Sequence, residues 1–128
     1  MPHELPRPTD AELAILRVLW ERGPSTVREV HDDLPRERPT GYTTVLKLLQ
    51  IMTEKGLVTR DERARSHVYA PRRSQDATQQ QLVADLVQRA FGGSAAQLVM
   101  QALAASPASA HEIREIRKLL DERRGARK

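Results

Sequence analysis

Apolar positions return every three or four residues along most of the chain, and only between residues 57 and 70 does the pattern change to that of short strands. Thr9 and Glu12 have capping-box spacing, and Leu13, Leu16 and Trp20 follow at i, i+3 and i+7. This predicts a first helix over about residues 10–22, ended by Gly23-Pro24. Thr26 with Glu29 offers a second capping box near Ser25 or Thr26, and Val27, Val30 and Leu34 share one face of a short helix that Pro35 stops. Two prolines keep the stretch from Pro35 to Thr40 out of a helix, because each removes an N–H donor and crowds the preceding turn. A third helix is predicted from about Gly41 to Lys55, with Gly56 as its stop. Val45, Leu48, Leu49 and Met52 form its apolar stripe, while Thr43, Lys47, Gln50 and Glu54 point the opposite way.

Leu57-Val58-Thr59-Arg60 and His67-Val68-Tyr69-Ala70 read as two strands of a hairpin, joined by a polar connection with a basic tip at Arg63 and Arg65. Past Pro71 the helical period resumes. Leu82, Val83, Leu86 and Val87 mark a fourth helix, Leu98, Val99 and Leu103 a fifth, and Ile113, Ile116 and Leu120 a sixth. Gly92-Gly93 and Pro107 separate them, Ser109 with Glu112 caps the last, and Arg123 to Lys128 reads as a frayed basic tail. The chain thus divides into residues 1–73, three helices and a hairpin, and residues 74–128, three thin amphipathic helices. Helices with such narrow apolar faces make half of a core that a second copy completes. Leu82, Leu86, Phe91, Leu98, Val99, Leu103, Ile113, Ile116 and Leu120 are the expected dimerisation residues.

Composition narrows the chemistry. The 128 residues include no cysteine, which excludes disulfides, thiolate metal sites and thiol nucleophiles, and only four aromatics, so the core must be aliphatic. The net charge of +4 is unevenly spread: residues 1–37 carry five Arg and eight acids, residues 38–73 eight Lys or Arg and three acids, and residues 74–128 eight against six. Dense local positive charge is what releases counterions from phosphates, and it sits on the third helix and hairpin. Met1 to Asp10 has three prolines and mixed charge, unlike a secretory signal, and residues 90–110 are uncharged but too polar to span a bilayer, so a cytoplasmic protein without membrane insertion is expected.

Helix, turn, helix and hairpin in this order make a winged helix, in which the third helix enters a major groove of double-stranded DNA and the hairpin reaches a phosphate backbone or minor groove. Thr43, Thr44, Lys47 and Gln50 are the expected base readers, since Lys suits guanine, Gln suits adenine and Thr suits either or a thymine methyl. Arg38, Arg63 and Arg65 suit phosphates, and Tyr42 either touches the backbone or packs on the hairpin.

Taken in order, Thr9-Asp10-Ala11-Glu12-Leu13, Val18-Leu19-Trp20, Thr26-Val27-Arg28-Glu29-Val30, Tyr42-Thr43-Thr44-Val45, Lys55-Gly56-Leu57-Val58 and Val68-Tyr69 resemble the penicillinase-repressor family (BlaI, MecI and CopY). The resemblance is close over residues 9–71 and weaker but continuous beyond, including Phe91-Gly92-Gly93-Ser94. It implies a homodimeric repressor that binds a palindromic promoter operator through the winged helix, dimerises through the C-terminal helices and is released by a signal. In the β-lactam branch a membrane sensor-protease cuts the repressor. The corresponding bond falls near Gln101-Ala102, where this chain lacks the Asn-Phe pair typical of that branch. In the copper branch Cys-x-Cys pairs bind metal, a route closed to a chain without cysteine.

Enzymatic readings find no support. His31-Asp32-Asp33 is contiguous, and neighbours on a helix diverge, so it reads as a helix end instead of a metal site. His111-Glu112-Ile113-Arg114-Glu115 lacks the second histidine of a zinc-protease helix, Gly92-Gly93 lacks the lysine of a phosphate loop, and no serine sits in a nucleophile elbow. No cofactor is expected. A winged-helix sensor binding a small effector directly, or a protein-interaction module using the same face, would share this topology.

Overall fold

The computed structural model describes residues 7–36 and 40–126, which form six α-helices and one small antiparallel sheet. The order is α1 (Asp10–Arg22), β1 (Ser25–Thr26), α2 (Val27–Asp33), α3 (Tyr42–Lys55), β2 (Val58–Asp61), β3 (Val68–Pro71), α4 (Gln75–Ala90), α5 (Ala95–Ala105) and α6 (Ala110–Ala126). The chain divides into two compact units, residues 1–82 and 83–128.

Both predicted capping boxes at the start of the chain form. The Thr9 hydroxyl accepts from the Glu12 backbone N–H and Glu12 returns the bond to Thr9, and Thr26 and Glu29 do the same at α2. Each satisfies two donors that a helix start otherwise leaves orphaned. At the other end of α3, Gly56 takes φ +81°, the left-handed value that glycine tolerates, and the Gly56 and Leu57 N–H groups donate to Thr53 and Met52 carbonyls. That closure turns the chain straight into the hairpin.

The sheet has the order β1-β3-β2, with Thr59 opposite Ala70 and Arg60 opposite Tyr69 in the hairpin, and Ser25 opposite Tyr69 on the other edge of β3. The hairpin strands sit one residue later than predicted, and β1 is an addition. Two residues are too few to carry an alternating pattern, and they are recruited by the free edge of β3. Ile15, Leu16, Val18 and Leu19 of α1, Val27 and Val30 of α2, Val45, Leu49 and Met52 of α3, Val58 and Tyr69 form the core. The predicted α1 stripe is therefore off-centre: Leu13 and Trp20 are half-buried flanks. Because α1 packs against α2, α3 and β3 together, its buried face is wider than one stripe and centres on Ile15 and Leu19. The Trp20 indole N–H donates to the Arg73 carbonyl at 3.0 Å and Thr78 is buried, so the first turns of α4 belong to the first unit.

In the second unit, Gly92 and Gly93 take φ of 56° and 88°, making the turn that ends α4, and Ser94 caps α5. Ser109 and Glu112 cap α6 reciprocally. The expected frayed tail is corrected as far as Ala126: α6 continues through Arg123 and Arg124, where cations are favourable against the carbonyl end of a helix, and Arg127 and Lys128 lie outside the described residues. No helix among the described residues is long and apolar enough to cross a membrane.

Candidate nucleic-acid interface

Burying Val45, Leu49 and Met52 turns the opposite edge of α3 outward, and Tyr42, Thr43, Thr44, Lys47, Gln50 and Glu54 are all exposed along it. Leu48, placed on the apolar stripe, is half-buried. The Lys47 side chain makes no hydrogen bond or ion pair among the described residues, so its ammonium is uncommitted. Arg38 lies outside the described residues.

The hairpin connection treats its cations unequally. Asp61 accepts the Arg63 backbone N–H at 3.0 Å and grips its guanidinium through Nε at 3.0 Å and Nη2 at 2.7 Å. That fork and the backbone N–H hold the Asp61 carboxyl down to about 2. Arg60 is engaged by the buried Tyr69 hydroxyl and by Glu62, which accepts its Nε–H at 2.9 Å, and both raise its pKa. Arg65 is exposed and makes no hydrogen bond or ion pair among the described residues. Of the two arginines predicted at the tip, one is already occupied and one is open.

Between α2, the start of α3 and the hairpin lies a cleft of about 550 Å³ lined by Thr26, Arg28, Tyr42, Arg65, Ser66 and His67, with Val27, Leu46 and Tyr69 beneath. Tyr42 packs on α2: the Arg28 guanidinium sits 5.1 Å from its ring centroid and the His31 ring 6.2 Å away. Glu29 also borders the cleft, but its carboxylate serves the Thr26 N–H at 2.9 Å and Arg22 at 2.9 Å. Arg28 has no carboxylate partner among the described residues. Nothing local in the sequence marks this position of Arg28, since its contact is with Tyr42, fourteen positions away.

The nine residues predicted for dimerisation lie on α4 to α6 and at Phe91, and none is fully buried: Leu82, Phe91, Leu98, Leu103, Ile113 and Ile116 are half-buried, while Leu86, Val99 and Leu120 are 47%, 44% and 58% exposed. Val83, Met100 and Leu119 lie exposed among them and were not in that set. Gln101 and Ala102 are exposed within α5. His31 pairs with Asp32 at 3.0 Å, and no cluster of three or more metal-ligating side chains occurs among the described residues.

A helix–turn–helix with a hairpin beside it, an outward polar helix edge and uncommitted cations at both define a winged-helix protein. The chain belongs to the penicillinase repressor family, which it matches over residues 8–122. It is 39% identical over 88 residues to the transcriptional regulator BlaI of Mycobacterium tuberculosis, covering 68% of this chain and 64% of that protein, so it spans about two thirds of that relative. It is 23% identical over 125 residues to the penicillinase repressor of Bacillus licheniformis, 98% of each chain. The solution structure of the DNA-binding domain of the repressor BlaI shares its fold at a TM-score of 0.50 and 24% identity, over 58% of this chain and 90% of that one. These relatives are named as regulators and repressors, not enzymes.

Proposed function

We propose that the chain is a homodimeric transcriptional repressor that works in the cytoplasm and binds a palindromic promoter operator in double-stranded DNA. The observation that carries this is the outward edge of α3, where Thr43, Thr44, Gln50 and the uncommitted Lys47 stand exposed, together with the open Arg65 of the wing. In this reading the α3 edge contacts bases in the major groove, and Arg65 holds a phosphate, with Arg38 and Arg63 as further phosphate ligands. The names of its relatives, transcriptional regulator and penicillinase repressor, support the reading. The nine dimerisation residues then join two copies so that two α3 helices address the two half-sites. Release follows a signal in this reading. A sensor-protease cutting at Gln101-Ala102 would meet an exposed but helical bond, and α5 must unwind before it can be cut.

Fluorescence anisotropy of the full chain with its own promoter fragment and with scrambled duplex, near ~0.15 M salt, tests the reading. Lys47→Ala should lose about 1–3 kcal/mol on the operator and relax preference at one base, whereas Arg65→Ala should weaken all duplexes and flatten the salt dependence by about one unit. Identical losses for the two variants, on both duplexes, would refute the division of labour, and equal affinity of the wild type for both duplexes would refute operator recognition.

A further inference from the structure

We infer that the cleft between α2, the start of α3 and the wing seats one sugar–phosphate strand of the duplex, with Arg28 as its phosphate ligand and the Tyr42 ring as the platform that aims Arg28. This rests on the DNA-binding reading and adds a contact outside the α3 edge and the wing tip. If α3 occupies the major groove and the wing reaches across to the neighbouring groove, the strand dividing those grooves has to pass between them, and the cleft is the space between them.

The lining suits that strand. Arg28 and Arg65 border the cleft, Thr26 and Ser66 offer hydroxyls and His67 a ring nitrogen, all of which can donate to phosphate or sugar oxygens. Its one carboxylate, Glu29, is engaged by Arg22 and by the Thr26 N–H. The cation–π contact with Tyr42, 5.1 Å from the Arg28 guanidinium carbon to the ring centroid, restrains that side chain at the cleft while none of its N–H donors is taken by a carboxylate among the described residues. Arg63 is in a different situation, because the Asp61 carboxylate already fills its Nε–Nη2 edge and offsets its charge, leaving only the Nη1 side for a phosphate. The geometry therefore ranks Arg28 above Arg63, the reverse of what position along the hairpin suggests.

A salt series of anisotropy titrations on the full-length variants decides the ranking, with circular dichroism confirming the fold of each. Arg28→Ala should bind operator and scrambled duplex roughly tenfold more weakly and lower the salt slope by about one. Tyr42→Leu should follow it in part and Tyr42→Phe should not, since the ring and not the hydroxyl supports Arg28. The double variant Asp61→Asn with Arg63→Ala should weaken binding by less than Arg28→Ala does, since Asp61 already offsets the Arg63 charge. Unchanged affinity and slope for Arg28→Ala, while Arg65→Ala lowers both, would overturn the inference and leave the DNA-binding reading standing. A wild-type chain without salt-dependent affinity for duplex would overturn both.

Discussion

Glu12 caps α1 and also reaches across the fold. Its side chain is 3% exposed, and its carboxylate accepts the Thr9 N–H at 2.8 Å and the Lys55 ammonium at 2.6 Å. Burial pushes its pKa up, but the hydrogen bonds from Lys55 and Thr9 and the charge of Lys55 outweigh burial and hold it below the ordinary glutamate value. A carboxyl whose folded pKa is depressed stabilises the fold fully above the unfolded value near ~4.3 and loses that contribution as pH falls through the folded value. Glu12→Gln keeps the cap and loses the ion pair, so it should lower stability at neutral pH by about 1–2 kcal/mol, the low end for a charged hydrogen bond because Lys55 stays partly in water. Chemical denaturation at pH 7 and pH 3 checks it: the gap between wild type and variant should shrink at the lower pH, and a constant gap would show that the charge contributes nothing. The capping half of this role was legible in the sequence because it needs only residues three apart. The Lys55 half was not, since 43 positions separate the partners and only the packing of α1 on α3 joins them.

Among the elements, the wing shows how far pattern reading reaches. Alternation located the two strands to within a residue, and basic composition located the tip, but neither distinguishes Arg63 from Arg65, because that depends on how the turn brings Asp61 under the Arg63 fork. The pairing has a consequence for binding. Asp61 places a negative charge at a surface proposed to meet phosphates and occupies the cation beside it. Asp61→Asn removes that charge and frees Arg63, so duplex affinity should rise several-fold on any sequence and the salt slope should steepen by about one. Weaker binding would mean instead that Asp61 shapes the connection through its bond to the Arg63 N–H, and that this shape matters more than charge. A similar limit applies to α1 and α4: helical period found both, but only the bond from Trp20 to the Arg73 carbonyl and the burial of Thr78 show that α4 begins inside the winged-helix unit.

For the whole molecule the decisive contrast is between two kinds of apolar residue. In the first unit they close on one another around Leu49 and Tyr69, which are 0% and 1% exposed, and no second chain is needed to complete that core. In the second, Val83, Leu86, Val99, Met100, Leu119 and Leu120 are between 44% and 58% exposed, and α4, α5 and α6 make little contact with each other. Exposed aliphatic surface of that kind is stabilised by association, at ~25 cal/mol per Å² buried, and a two-fold partner would cover it with its own copy. Replacing Leu86 and Leu120 with Asp costs a lone chain little, since both already face water, yet strands charges in a dimer seam. The full-length double variant should therefore sediment as a monomer at micromolar concentration while the wild type sediments as a dimer, and only the wild type's melting temperature should rise with protein concentration. DNA supplies the second readout. On a duplex with one half-site the two proteins should bind alike, whereas on one with two half-sites a helical turn apart the wild type should gain ~10²–10⁴-fold, because its second α3 binds from the effective concentration that the joined helices impose. A double variant that remains dimeric, or that keeps the two-site advantage, would place the subunit contact somewhere other than α4 to α6.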